Sequence, residues 1–173
     1  MELQTAVKLI RHNRISPHPA TWADLGCGTG LFTQALGGLL QPGSTIYAVD
    51  QNKQALLQIP KLPGIAIEKI PANFVTDPLP LKNLDGILMA NALHFVKDKT
   101  GFLHTIAGYC KPNAVLLIVE YDMDTSNTWV PYPVSFTSLE LLFKKAGYIS
   151  VEKIYSTPSV YNRSHIYGTF IEH

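Results

Sequence analysis

Residues 22–30 read Trp-Ala-Asp-Leu-Gly-Cys-Gly-Thr-Gly. An acid, Asp24, precedes three glycines at alternate positions, Gly26, Gly28 and Gly30, directly after a short apolar run. Glycine has no Cβ and accepts positive φ, so such a loop lets the backbone come close to a bound molecule. A helix that follows would add its free N–H groups to the same site. This is the chemistry of a nucleotide-type cofactor. Two versions of it fail here. The dinucleotide fingerprint needs G-x-G-x-x-G, and position 31 is Leu. No G-x-x-x-x-G-K-[ST] loop is present either, which excludes an ATPase P-loop. A second acid, Asp50, ends the apolar run Ser44-Thr-Ile-Tyr-Ala-Val-Asp50. A carboxylate there can accept hydrogen bonds from both hydroxyls of a ribose. His94, in the stretch Asn-Ala-Leu-His-Phe-Val, is the side chain best suited to proton transfer. Cys27 and Cys110 lack metal-ligand spacing and read as free thiols of a reducing compartment, so no metal is expected.

The elements that must position these residues alternate in type. Residues 2–14 read as a helix with Leu3, Val7 and Ile10 on one face. Strands are expected at 20–26, 44–50, 64–70, 84–91 and 114–122, and helices at 30–40, 53–59, 99–110 and 138–148. Lys111-Pro112-Asn113 is expected to turn the chain before the fifth strand. Two more strands, 149–156 and 165–172, follow each other without a helix and should pair as a hairpin. Alternating strands and helices make a mainly parallel sheet. The first, fourth and fifth strands are the most apolar and should be central. Ligands then bind at the carboxyl ends of the parallel strands, near the switch in strand order.

The blocks at residues 23–30, 46–52, 84–96, 110–122 and 138–148, in that order and spacing, resemble the class I S-adenosylmethionine-dependent methyltransferases. The resemblance covers roughly residues 20–172. It implies a three-layer, Rossmann-like α/β sandwich with a mostly parallel seven-stranded sheet and an antiparallel C-terminal hairpin. It also implies one domain over residues 1–173: an N-terminal helix and loop (1–19), a cofactor-binding part (20–122) and an acceptor-side loop with the closing hairpin (123–173). The cofactor would be S-adenosylmethionine, leaving as S-adenosylhomocysteine. By resemblance, Gly26, Gly28 and Gly30, with Cys27 among them, pass under its methionine and ribose. Asp24 orients the loop or reaches the ammonium through water. Asp50 takes the ribose and Gln51 the adenine edge. The acid that many family members place after the third strand is missing, and Ala72, Asn73 and Phe74 stand there, Asn73 as acceptor and Phe74 against the ring. Ala90 and Asn91 face the methionyl ammonium, and Leu93 lies below the cofactor.

Methyl transfer from a sulfonium is an in-line displacement, so the protein mainly aligns the partners and excludes water. A base is needed only where the acceptor must lose a proton, and His94 is then the candidate. His94, Tyr121, Trp129 and Tyr132 are candidates for binding the acceptor. The aromatics after the fifth strand could equally pack a long loop onto the sheet. The acceptor is expected to be a small molecule. An open acceptor side would also suit a second copy of the chain or a partner subunit. Two alternatives to an enzyme of this type stay open: a cofactor-binding protein without transfer activity, and a nucleotide-dependent oxidoreductase on a similar sheet.

Composition sets the outer bounds. The 173 residues suffice for one sizeable core, and 46% hydrophobic with 16% charged residues argues against disorder. A formal charge of +1 gives no global attraction to nucleic acid. No apolar run reaches the ~20 residues of a membrane span, and a cytoplasmic location is expected. The triplet Asn162-Arg163-Ser164 matches a glycosylation acceptor and is expected to be coincidental in such a chain.

Overall fold

A computed structural model describes residues 1–15, 17–159 and 164–172; Asn162 and Arg163 of the glycosylation-type triplet lie outside the described residues. The elements run α1 (Leu3–Ile10), β1 (Thr21–Leu25), α2 (Leu31–Gly37), β2 (Thr45–Asp50), α3 (Lys53–Leu57), β3 (Ala66–Pro71), β4 (Leu84–Ala90), a 3₁₀ turn (Leu93–Phe95), α4 (Lys99–Ala107), β5 (Cys110–Tyr121), α5 (Phe136–Lys145), β6 (Ser150–Pro158) and β7 (His165–Glu172). The seven strands form one sheet in the order β3-β2-β1-β4-β5-β7-β6. Strands β1 to β5 are parallel, and β7 runs antiparallel to both β5 and β6. The order reverses between β1 and β4, so the crevice for a ligand lies at their carboxyl ends.

Alternation along the central strands sends side chains to two separate cores. Ala23, Leu25, Ile87, Met89, Leu116 and Ile118 meet α4 and α5 on one face. Trp22, Ile46, Leu88, Leu117 and Val119 meet α1 and α2 on the other. The three most apolar strands, β1, β4 and β5, are the central ones, as their burial on both faces requires. No described helix is long and apolar enough to cross a membrane.

Two local expectations are corrected. The first helix ends at Ile10 rather than residue 14. The backbone turns extended at Arg11, and the side chains of His12 and Arg14 reach β6 and β7 instead. His12 stacks on Phe170 at 3.9 Å, and Arg14 reaches Glu152 and Glu172. The second concerns Lys111-Pro112-Asn113, which does not turn the chain. These residues lie inside β5, where the register against β4 jumps from Leu84↔Cys110 to Gly86↔Val115. Proline has no N–H to give to a ladder, so a bulge is where a sheet tolerates it. Lys111 Nζ donates to Asp85 Oδ1 at 2.6 Å beside this bulge.

Helix α1 lies directly on β7. A Cβ at Gly168 would overlap the carbonyl oxygen of Leu9. Gly168→Ala is therefore expected to push α1 off the sheet and to cost about 3 kcal/mol of stability by overpacking. The reading is a fall in the urea midpoint at constant slope. A wild-type midpoint would show that α1 has room to move at this point.

Candidate functional site

The loop after β1 is built to leave space. Gly26 and Gly28 sit at φ of 79° and 53°. A Cβ on Gly26 would lie 2.8 Å from Ala92 Cβ and 3.1 Å from a Phe74 ring carbon. Gly26 thus brings three segments together: the β1 loop, the segment after β3 and the turn after β4. They enclose a cavity of about 340 Å³, lined among others by Gly26, Asp50, Gln51, Asn73, Phe74 and Asn91. Its position at the carboxyl ends of β1, β2 and β4 is the one that strand order predicts. Gly30 faces elsewhere: a Cβ there would meet Ile59 at 2.7 Å, so this glycine lets α2 start close beside the segment after α3. Cys27 also turns away, packing with Ala48, Leu56 and Ile59. Burial, helped by the charges of Asp24 and Asp50, holds its thiol far above the usual cysteine range, so it stays protonated and inert.

Asp50 fixes the loop from β2. Its Oδ2 accepts from the Gly28 N–H at 2.8 Å, and its Oδ1 from the Asn52 N–H at 2.8 Å. Each oxygen keeps a lone pair for a further donor. Asn73 is engaged in its own turn: Oδ1 accepts from Val75 N–H at 3.0 Å and Nδ2 points to Gln51 Oε1 at 3.5 Å. Asp77 closes that turn by accepting from the Asn73 N–H at 2.8 Å. The carboxamide of Asn73 is therefore only half free for an adenine-type partner.

Two buried acceptor oxygens near the loop lack partners. Asp24 is fully buried; Oδ2 accepts from Thr33 Oγ1 at 2.6 Å, while Oδ1 has no partner among the described residues. Desolvation outweighs the Thr33 bond, and with the charge of Asp50 it pushes the Asp24 carboxyl up to about 7. Asn91 stands at φ 52°, in the left-handed region, and its Oδ1 is likewise buried without a partner. Both oxygens call for a donor, ideally a cationic one.

A second cavity, of about 490 Å³, shares Asn91 with the first. Met1, Glu2 and Thr5 of the N-terminal segment, Leu31 and Phe32 of α2, Tyr121 of β5 and Ile166 of β7 are among its walls. Of the four residues expected at an acceptor, only Tyr121 lines it. Trp129 is 83% exposed and lines neither cavity. Tyr132 donates its N–H to the His94 carbonyl at 3.0 Å, and its own carbonyl accepts from Lys99 Nζ at 2.7 Å. It belongs to a loop packed through Val130 and Val134 onto the sheet. His94 lines neither cavity. Its ring Nδ1 lies 2.8 Å from Glu120 Oε2, and its backbone N–H donates to Glu120 Oε1 at 3.1 Å, with both side chains buried. Ala72 and Ala90 flank the first cavity in the chain without lining it, and Leu93 is wholly in the core.

Thr33, Glu120, Ala92, Phe95, Leu31, Phe32 and Ile166 were not picked out by sequence. One of them carried a signal. Glu120 is a carboxylate inside the most apolar run of the chain, and a charge there requires a buried partner. Among the described residues, no group of three or more His, Cys, Asp or Glu could hold a metal ion.

A methyltransferase domain family matches residues 23–116 of this sequence. No curated protein matches it. Solved structures share the fold. A SAM-dependent methyltransferase from Aquifex aeolicus is 19% identical, with 99% of this chain and 98% of that chain covered at a TM-score of 0.65. The 1,6-didemethyltoxoflavin-N1-methyltransferase of Burkholderia thailandensis, solved with bound 1,6-didemethyltoxoflavin and S-adenosylhomocysteine, is 18% identical over 98% of this chain and 77% of that one, with a TM-score of 0.72. Phosphoethanolamine N-methyltransferase 2 of Haemonchus contortus, in complex with S-adenosyl-L-methionine, is 13% identical over 98% and 52%, with a TM-score of 0.73.

Proposed function

The chain belongs to the methyltransferase domain family, and on that premise we propose that the cavity of about 340 Å³ binds S-adenosylmethionine and that the adjoining cavity receives the methyl acceptor. The observation that carries this reading is the first cavity's wall. A positive-φ glycine, a ribose-ready carboxylate and an unpartnered buried amide oxygen, on Gly26, Asp50 and Asn91, converge there from three strand ends. When bound, the cofactor supplies a methyl group already activated on a sulfonium. A dinucleotide-dependent oxidoreductase lacks support, because family membership and the G-x-G-x-G spacing both point away from it.

Each residue then has a task. Asp50 accepts the ribose hydroxyls on the lone pairs left free by Gly28 and Asn52. Asn91 Oδ1 accepts from the methionyl ammonium, and Asp24, which is fully buried and lines neither cavity, reaches it through water, so that both oxygens lose their unpaired state. Phe74 and Gln51 line the adenine end. Glu120 and His94 position the turn after β4, which carries Asn91 and Ala92 into the cavity. The chain's contribution to rate is alignment and water exclusion.

Asp50→Ala should weaken S-adenosylhomocysteine binding about 10- to 100-fold, the worth of hydrogen bonds to a charged acceptor, in a protein that still folds. Titration calorimetry measures it. Wild-type affinity in that variant would remove Asp50 from the site and with it the cofactor assignment of the cavity.

A further inference from the structure

We propose that Lys99 is a positioning residue for the cofactor: its ammonium straps the loop after β5 across the turn after β4 and so fixes Phe95 as a wall of the cavity of about 340 Å³. The proposal rests on the cofactor reading of that cavity.

The strap is built at Tyr132. Its N–H donates to the His94 carbonyl at 3.0 Å. Its own carbonyl accepts from Lys99 Nζ at 2.7 Å, and the same Nζ donates to the Val96 carbonyl at 2.9 Å. The ammonium also lies 5.8 Å from the centroid of the Tyr132 ring, within reach of a cation–π contact. One lysine thus joins the main chain of the loop to Val96, the residue that caps the 3₁₀ turn. Glu120 holds the same turn from the sheet side, through the backbone N–H and the Nδ1 of His94. The turn is gripped from both sides.

Two observations speak against a role for Lys99 in the helix itself. It is the first residue of α4, where the helix dipole opposes a positive charge. Burial also holds its ammonium below the ordinary lysine range, with the charge of Glu120 pulling the other way. Both the dipole and the burial disfavour a cation at this position. The bridge must outweigh them, and hydrogen bonds from a cation to main-chain carbonyls are among the stronger ones.

Phe95 is what the bridge controls. It lines the cavity and yet is 52% exposed, so burial in the core does not fix it. Its ring leans on His94 at 4.3 Å, and its backbone belongs to the turn. A loosened loop lets the turn drift, and Phe95 and Ala92 leave the surface that meets the ligand. The coupling is reciprocal: a ligand that needs this wall closed must hold the strap closed by the same factor.

Amide hydrogen exchange and calorimetry test the strap together. In the wild type, saturation with S-adenosylhomocysteine should slow exchange of the Tyr132 amide about tenfold. Lys99→Met keeps an aliphatic stem and loses the donors. It should bind S-adenosylhomocysteine about tenfold more weakly, and its Tyr132 amide should exchange at one rate with or without the ligand. Lys111→Met is the control. Lys111 bridges to Asp85 at the opposite end of β5, so its loss should lower stability and leave the affinity unchanged. A Tyr132 amide that keeps its rate when the wild type is saturated would overturn the proposal, and this reading stands even if Lys99→Met does not fold. So would wild-type affinity in Lys99→Met, or an equal loss of affinity in Lys111→Met. Failure of S-adenosylhomocysteine to bind the wild type would instead overturn the cofactor reading, and the role of the strap with it.

Discussion

Asp24→Asn is expected to make the cofactor-free protein more stable above pH 7, by up to about 4 kcal/mol, while impairing cofactor binding. The fully buried carboxyl is pushed up to about 7 from an ordinary 3.8, chiefly by desolvation. A raised carboxyl pKa means that the folded state holds a proton the unfolded state has lost. Between about pH 4 and pH 7 the folded chain therefore binds more protons, and stability falls as pH rises through that window. Above it the protein carries a constant penalty of about 4 kcal/mol for an ionised, half-partnered carboxylate. Asparagine keeps an acceptor for Thr33 and removes the charge. Urea unfolding at pH 5 and pH 8 reads the effect: the wild type should lose stability between the two, and the variant should not. Equal wild-type stability at the two pH values would show that Asp24 is ionised at low cost and that its unpartnered oxygen is met by solvent.

The same carboxylate gives cofactor binding a proton signature. An ammonium near Oδ1 favours the ionised form, so complex formation below about pH 7 should release close to one proton. Affinity should then rise with pH up to that point and level off. Calorimetry in two buffers of different ionisation enthalpy counts the proton directly. A wild type that releases none, or an Asp24→Asn variant that still releases one, would place the ammonium elsewhere.

The fold and the glycine loop at the carboxyl end of β1 were legible in the sequence for identifiable reasons. Strand β1, the loop and α2 are local: the glycines, the apolar run and the helix pattern lie within one stretch of chain. Asp50 could be found because a strand end fixes where its last residue points. The closing hairpin showed because two alternating runs meet without a helix between them. What stayed hidden is non-local. The second cavity draws on α1, α2, β5 and β7, far apart in sequence, and its walls are ordinary residues such as Leu31 and Ile166. Trp129 and Tyr132, in the loop after β5, have the composition of a binding site but line neither cavity. Glu120 meets His94 across 26 positions, and only the sheet brings them to 2.8 Å. Asp24 was visible as a residue, but its burial and its unpartnered oxygen follow from packing that no spacing encodes.

Gly26→Val should abolish cofactor binding, a loss of more than about 100-fold in affinity. Two effects act together. Gly26 sits at φ 79°, which a β-branched residue adopts only under strain. Its Cβ would also stand 2.8 Å from Ala92 and 3.1 Å from Phe74, two walls of the cavity. The extra methyl groups must then push Phe74 or the turn at Ala92, and either shift distorts the surface against which adenosine would lie. Because the strain also threatens the fold, Gly26→Ala serves as the companion variant, with one Cβ in the same place and no branching. It should fold, with a lowered melting temperature, and still bind S-adenosylhomocysteine at least about tenfold more weakly than the wild type. Gly28 supplies the contrast. A Cβ there meets no protein atom within 4 Å, so Gly28→Ala carries backbone strain at φ 53° but no overlap with a cavity wall. If the cavity at Gly26 holds the cofactor, Gly26→Ala must cost more affinity than the backbone strain it shares with Gly28→Ala accounts for, and Phe74 resonances must move in the first variant only. Equal losses in the two variants, with Phe74 undisturbed in both, would mean that loop strain alone governs binding and that the ligand does not rest between Gly26, Phe74 and Ala92.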